Sequence, residues 1–140
     1  MRILSSAALF SCFIFCFVSC TETERERTKI TRESVEGLFD GIRRAGMDPD
    51  NELLWAYFFI DNDTTKLRIL ADHLVSKGYT FNDIFELEAD NISIREFTLQ
   101  VERIEQHSLE SLQQRNQEFY NLAIQFSIQD YDGMEAGPVQ

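Results

Sequence analysis

Leu53-Leu54-Trp55-Ala56-Tyr57-Phe58-Phe59-Ile60 decides the fold. The run is uninterrupted by any polar residue, dense in aromatics, and too short for a helix that stands alone. Such a segment reads as a β-strand apolar on both faces, hence a central strand covered on both sides. One phase holds Leu53, Trp55, Tyr57 and Phe59; the other holds Leu54, Ala56, Phe58 and Ile60. Two helices can cover one phase, so the other needs a further helix or a partner. Asp61-Asn62-Asp63 breaks the strand.

Downstream, Asp63 or Thr64 caps a helix whose apolar face is Leu67, Leu70, Ala71, Leu74 and Val75. Lys77-Gly78 closes it, with a cation in the last turn and glycine at the end. Ile84 to Glu88 alternates and reads as a half-buried strand, followed by a turn at Ala89-Asp90-Asn91. Phe97, Leu99 and Val101 alternate with Thr98, Gln100 and Glu102, giving a second half-buried strand. Ile94 is out of phase with Phe97, which places a bulge near Arg95. Ser108 caps another helix, striped by Leu109, Leu112, Phe119, Leu122, Ala123 and Phe126, and a last segment runs from Ile128 to Val139. Upstream, Val35, Leu38, Phe39 and Ile42 are spaced as one helical face, between a cap at Thr31 or Ser34 and a stop at Gly46. The order is one extra N-terminal helix, then β-α-β-β-α-β. The expected class is therefore α+β, a ferredoxin-like sandwich on a four-stranded antiparallel sheet.

The N-terminus reads as an address. Ala7 to Val18 is apolar and uncharged after a short basic start, too short to span a bilayer and of the length of a signal-peptide core. Ser19-Cys20, followed by a Thr/Glu/Arg-rich stretch, resembles a bacterial lipobox, in which the cysteine is lipidated and becomes the first residue. An ordinary signal peptide and an uncleaved anchor are the alternatives; all three carry the remainder out of the cytoplasm. The expected organisation is a lipoprotein signal peptide at 1–19, a solvated tether at 20–30 and one domain at 31–140. Cys12, Cys16 and Cys20 are the only cysteines, so the domain has neither a disulfide framework nor a cysteine metal site.

Composition bounds the function. With 140 residues, 13 Lys+Arg and 24 Asp+Glu, the formal charge is −11. So acidic a chain repels phosphate backbones; direct nucleic-acid binding is not expected, and a basic protein surface is the natural partner. Of the two histidines, His73 lies at the polar edge of its helix and His107 reads as helix-start chemistry beside Ser108. There is no HExxH, no phosphate-cradling glycine loop and no dinucleotide fingerprint, so no cofactor is expected. Asp61-Asn62-Asp63 begins like a calcium loop, but Lys66 stands where that loop needs glycine. Glu86, Glu88, Asp90, Glu96, Glu102, Glu105, Asp130, Asp132 and Glu135 alternate with core residues and read as solvated strand faces.

Leu54-Trp55-Ala56-Tyr57-Phe58-Phe59 with Asp61, then Leu70-Ala71 and Gly78-Tyr79, resembles the opening of the RraB family, the B-type regulators of ribonuclease E activity. Phe97 to Val101 fits that family's third strand, and Tyr131-Asp132-Gly133-Met134-Glu135-Ala136-Gly137 its closing Tyr-Asp-Gly stretch, with Met134 where an aromatic is common. The resemblance covers roughly residues 31–139. It implies a ferredoxin-like domain that binds a protein, modulates an RNA-degrading enzyme and catalyses nothing itself. Trp55, Tyr131, Asp132 and Gly133 are then the signature residues and candidate partner contacts, and Cys20 the lipidation site. Two functional classes are carried forward. The first is a non-enzymatic binding module anchored in the bacterial envelope, including an immunity protein against a basic nuclease or toxin. The second is an envelope enzyme, or a metal or small-ligand binder, that uses the carboxylates from Asp130 to Glu135.

Overall fold

The aromatic run does form the middle of a sheet. In the computed structural model, which describes residues 29–87 and 95–140, β1 (Leu53–Asp61) is hydrogen-bonded on one side to β3 (Phe97–Glu105) and on the other to β4 (Asp130–Gly137). The edge strand β2 (Thr80–Glu86) pairs with β3. The order β2-β3-β1-β4, antiparallel throughout, is that of a ferredoxin-like sheet. Helices α1 (Arg32–Arg44), α2 (Thr64–Ser76) and α3 (Leu109–Gln125) complete the α+β fold, with α1 preceding β1.

Local chemistry sets the helix ends. Thr31 and Ser108 each form a reciprocal capping box with the serine three residues on. The Asp63 carboxylate accepts the Thr65 N–H at 2.8 Å, which is the cap that the Asp-Asn-Asp stretch provides. Gly78 follows α2 at φ +94, a conformation that favours glycine. Asp61 is 1 % exposed and ties three pieces together. Its oxygens accept the Asp63 and Gln129 N–H groups, each at 2.8 Å, and Lys66 Nζ lies 3.6 Å away. The end of β1, the start of α2 and the approach to β4 are thereby fixed to one carboxylate.

All three helices pack on one face of the sheet. Phe39 of α1 meets Trp55 at 6.3 Å between ring centroids, and Phe119 of α3 meets Tyr57 at 4.8 Å and Phe59 at 5.3 Å. Leu67, Leu70, Ala71 and Leu74 of α2 join the same core. This corrects the expectation that β1 is covered twice. The phase Leu53, Trp55, Tyr57, Phe59 is buried, whereas on the opposite face Leu54, Ala56 and Phe58 are only half-buried and Ile60, near the strand's end, is buried. The reason is that α1 extends the helical layer beside α3 rather than crossing to the bare side.

One further expectation changes. β2 starts at Thr80, earlier than the alternation implied, and is mostly exposed at the edge of the sheet. Among the described residues the ladder irregularities lie at Phe81/Asp83 and opposite Phe58/Phe59, while the bulge expected near Arg95 adjoins residues outside the described ones. Asp132 is the extra residue in β4, and Gly133 beside it takes φ +122. Glu88, the 89–91 turn, Ile94, the 1–19 leader, Cys20 and most of the tether lie outside the described residues.

Candidate functional site

The bare sheet face is ordered in rows that the register defines. Ile104, Leu54 and Gly137 form one row; Thr80, Glu102, Ala56 and Glu135 the next; Asp83, Gln100, Phe58 and Gly133 the third; and Phe85, Thr98, Ile60 and Asp130 the fourth, where Thr98 and Ile60 are buried. Among the described residues, no Lys or Arg occupies a strand position on this face. Ile104 is 50 % exposed and Phe85 37 %. Glu102 and Glu135 flank the small side chain of Ala56 on strands about 10 Å apart, since neighbouring strands lie about 4.8 Å from one another. Glu102 is held in place by amides: its Oε1 accepts from Gln100 Nε2 at 2.8 Å and from Asn82 Nδ2. It forms no ion pair among the described residues. The result is an acidic dip between apolar rows. A guanidinium or ammonium laid over Ala56 reaches both carboxylates.

The signature residues divide between core and surface. Trp55 and Tyr131 are buried, at 0 % and 2 % exposure. Trp55 donates from Nε1 to the Glu105 carbonyl at 3.1 Å, and Tyr131 donates from its hydroxyl to Asn116 Oδ1 at 2.9 Å. Burial pushes the Tyr131 phenol well above its usual range. These two side chains shape the domain from within. Gly133 is buried at the bulge, and only Asp132 of the four is exposed. Asp130, Asp132 and Glu135 do not join a group of His, Cys, Asp or Glu able to hold a metal; there is none among the described residues.

On the helical face lies a polar cluster that sequence reasoning missed. Glu105 is not part of a solvated strand face: its side chain is 14 % exposed. Its Oε1 accepts from Arg115 Nη1 at 2.7 Å and from the Tyr57 hydroxyl at 2.7 Å, and His107 Nε2 lies 3.3 Å away. Burial alone would raise the Glu105 carboxyl. Hydrogen bonds from His107 and Tyr57 and the charge of Arg115 outweigh it and hold the carboxyl at about 2. Burial, together with the Glu105 charge, drives the Tyr57 phenol far upward. His107 does more than start a helix. Its Nδ1 is 2.9 Å from Ser111 Oγ, while its ring stands edge-on to Trp55 at 5.2 Å. The available signal was phase: Arg103 and Glu105 continue the core-facing alternation of Leu99 and Val101.

The cluster has no activated nucleophile, since its hydroxyls are occupied by structural hydrogen bonds and its histidine is packed against Trp55. It stiffens the seam between β1, β3 and α3. The bare face carries exposed apolar residues, Ile104 and Phe85, beside carboxylates, with no cation at a strand position among the described residues.

No curated protein matches the chain. A family described as Regulator of ribonuclease activity B matches residues 32–136, from the start of α1 into β4. With the domain covered from its first helix to its last strand, the chain belongs to the RraB family.

Proposed function

We infer that the chain is a non-catalytic regulatory domain that restrains a ribonuclease by binding a basic, partly apolar segment of it. The observation that carries this reading is the row Glu102–Ala56–Glu135, bordered by Leu54, Ile104 and Phe58 on a face that no helix covers. A cation from the partner enters the dip while its apolar neighbours cover the flanking rows; Asp132 lies at the margin of the same surface. Family membership supports a ribonuclease as the target. The leader supports an envelope location, with the domain tethered to a membrane through a lipidated Cys20. In that setting the ribonuclease is one met outside the cytoplasm, as an immunity protein would meet an incoming toxin.

Two measurements test this. The purified chain, immobilised, is offered a ribonuclease-containing envelope extract and, separately, ribonuclease E with a labelled RNA substrate. Retention of a ribonuclease, or slowed cleavage, that Glu135→Lys and Ile104→Ala both weaken is the expected result. Retention or inhibition that both variants leave unchanged would remove the sheet face from the mechanism. Labelled palmitate should enter the wild-type chain and not Cys20→Ala; wild-type protein that never takes label would rule out the lipid anchor.

A further inference from the structure

We propose that the cleft between α2, α3 and β3 binds a small organic anion, a carboxylate or phosphate carried on an apolar body. The cleft encloses about 270 Å³, at the small end of ligand pockets. Leu74 and Phe119 supply apolar wall, and Tyr79, Lys77, Arg103 and Arg115 line it with polar groups beside one carboxylate, Glu118.

This acidic chain gathers positive charge in the cleft. Elsewhere Arg32 reaches Glu36 at 3.0 Å, Arg43 reaches Asp40 at 3.2 Å and Arg95 reaches Glu86 at 2.7 Å, while Arg44 and Arg68 lie exposed without an ion pair among the described residues. The cleft differs in that three cations line one concavity. Glu105 is engaged by Arg115 at 2.7 Å, and its other oxygen is 3.9 Å from Arg103 Nε, beyond hydrogen-bonding distance. Glu118, the acid on the rim, is held by Arg115 Nε at 3.3 Å. Lys77 forms no ion pair among the described residues. Lys77 thus brings charge to the concave site without an ion pair, and Arg103 has only the long pair to Glu105, which leaves its side chain 40 % exposed.

Arg103 is also out of place for a merely structural residue. It stands opposite Trp55 in the register, on the phase of β3 that faces the helices, where Leu99 and Val101 are fully buried. Its guanidinium lies over the Tyr79 ring at 5.1 Å, with the side chain 40 % exposed. A planar, oriented guanidinium is suited to a carboxylate or phosphate, which it grips with two parallel hydrogen bonds. Lys77, at the end of α2, adds an exposed cation. The apolar wall below selects a ligand with a hydrocarbon or aromatic body over a bare ion. This inference is independent of the sheet face, which lies on the other side of the molecule.

The test is calorimetric titration of the full-length chain in detergent with four probes: phenyl phosphate, phenylacetate, inorganic phosphate and benzyl alcohol. Saturable one-site binding of an aromatic anion is expected, weakened about tenfold or more by Arg103→Gln, as loss of a charged hydrogen bond implies. Partial recovery is expected with Arg103→Lys. Phenyl phosphate binding tighter than phenylacetate assigns a phosphate ligand; the reverse order assigns a carboxylate. Lys77→Gln, at an exposed helix end, provides a second reading should Arg103→Gln fail to fold. The proposal is overturned if neither aromatic anion saturates, or if benzyl alcohol or inorganic phosphate binds as well as they do. It is equally overturned if binding survives unchanged in the folded variants.

Discussion

At Gly133 the backbone, not the side chain, carries the requirement. Its φ of +122 lies where L-residues are strained, yet a Cβ placed there would meet only Ile30 Cδ1 at 3.5 Å, an ordinary contact. Gly133→Ala should therefore already cost about 1–3 kcal/mol, and Gly133→Val somewhat more, read as a lowered melting temperature. A Gly133→Val protein that melts with the wild type would show that the bulge relaxes freely. Glu105 gives a second prediction at this scale, with a definite sign. Its carboxyl is held at about 2 in the fold against 4.5 unperturbed, so its contribution is present above about pH 4.5 and lost as pH falls toward 2. Glu105→Gln should be less stable at neutral pH and should lose less stability than the wild type on acidification. Urea denaturation at pH 7, 4 and 3 checks this; parallel losses in both proteins would place the acid sensitivity elsewhere.

Among the elements, α1 is the addition to the βαββαβ plan, and its fate was the least legible from sequence. Its amphipathic stripe, its Thr31 cap and its Gly46 stop were all readable, because they depend on residues three or four apart. Which side of the sheet it would choose depends on Phe39 meeting Trp55 and on contact with α3, pairings between residues far apart in the chain. The same division explains the rest. The central position of β1 followed from its unbroken apolar run, and Phe59 and Leu99 do sit opposite one another at 0 % exposure. The acidic row on the bare face was hidden because Glu102 and Glu135 become neighbours of Ala56 only through register. Glu105 looked like any other strand carboxylate until Arg115, ten positions later, turned toward it from α3. Phe39 is 3 % exposed and joins α1 to the sheet, so Phe39→Ala should cost about 3–5 kcal/mol, much of a small domain's stability. A drop in melting temperature of only a degree or two would mean that α1 is peripheral to the cooperative unit.

Across the whole molecule, charge and apolar surface are distributed unequally between the two sides of the sheet. The helical side holds the core and the arginines of β3 and α3; the bare side holds carboxylates and half-buried apolar residues without a cation at any strand position. On the function proposed above, the formal charge of −11 steers basic partners toward the chain at a distance, and the row at Ala56 supplies the close contact. These two contributions separate by salt. Long-range attraction is screened once the Debye length falls to a few ångströms, from about 10 Å at 0.1 M to about 3 Å at 1 M, whereas apolar contact is not. Glu102→Gln combined with Glu135→Lys should therefore weaken capture of a basic ribonuclease strongly at low salt and flatten its salt dependence. Ile104→Ala should weaken capture by a similar factor at every salt concentration, because it removes only buried apolar area. Measuring association and dissociation rates of both variants from 0.05 to 0.5 M salt distinguishes the two effects. The charge variant should act mainly on association and the apolar variant on dissociation. If capture by the double charge variant keeps the full salt dependence of the wild type, the basic segment docks on some other acidic part of the molecule, and the bare face has lost its electrostatic role.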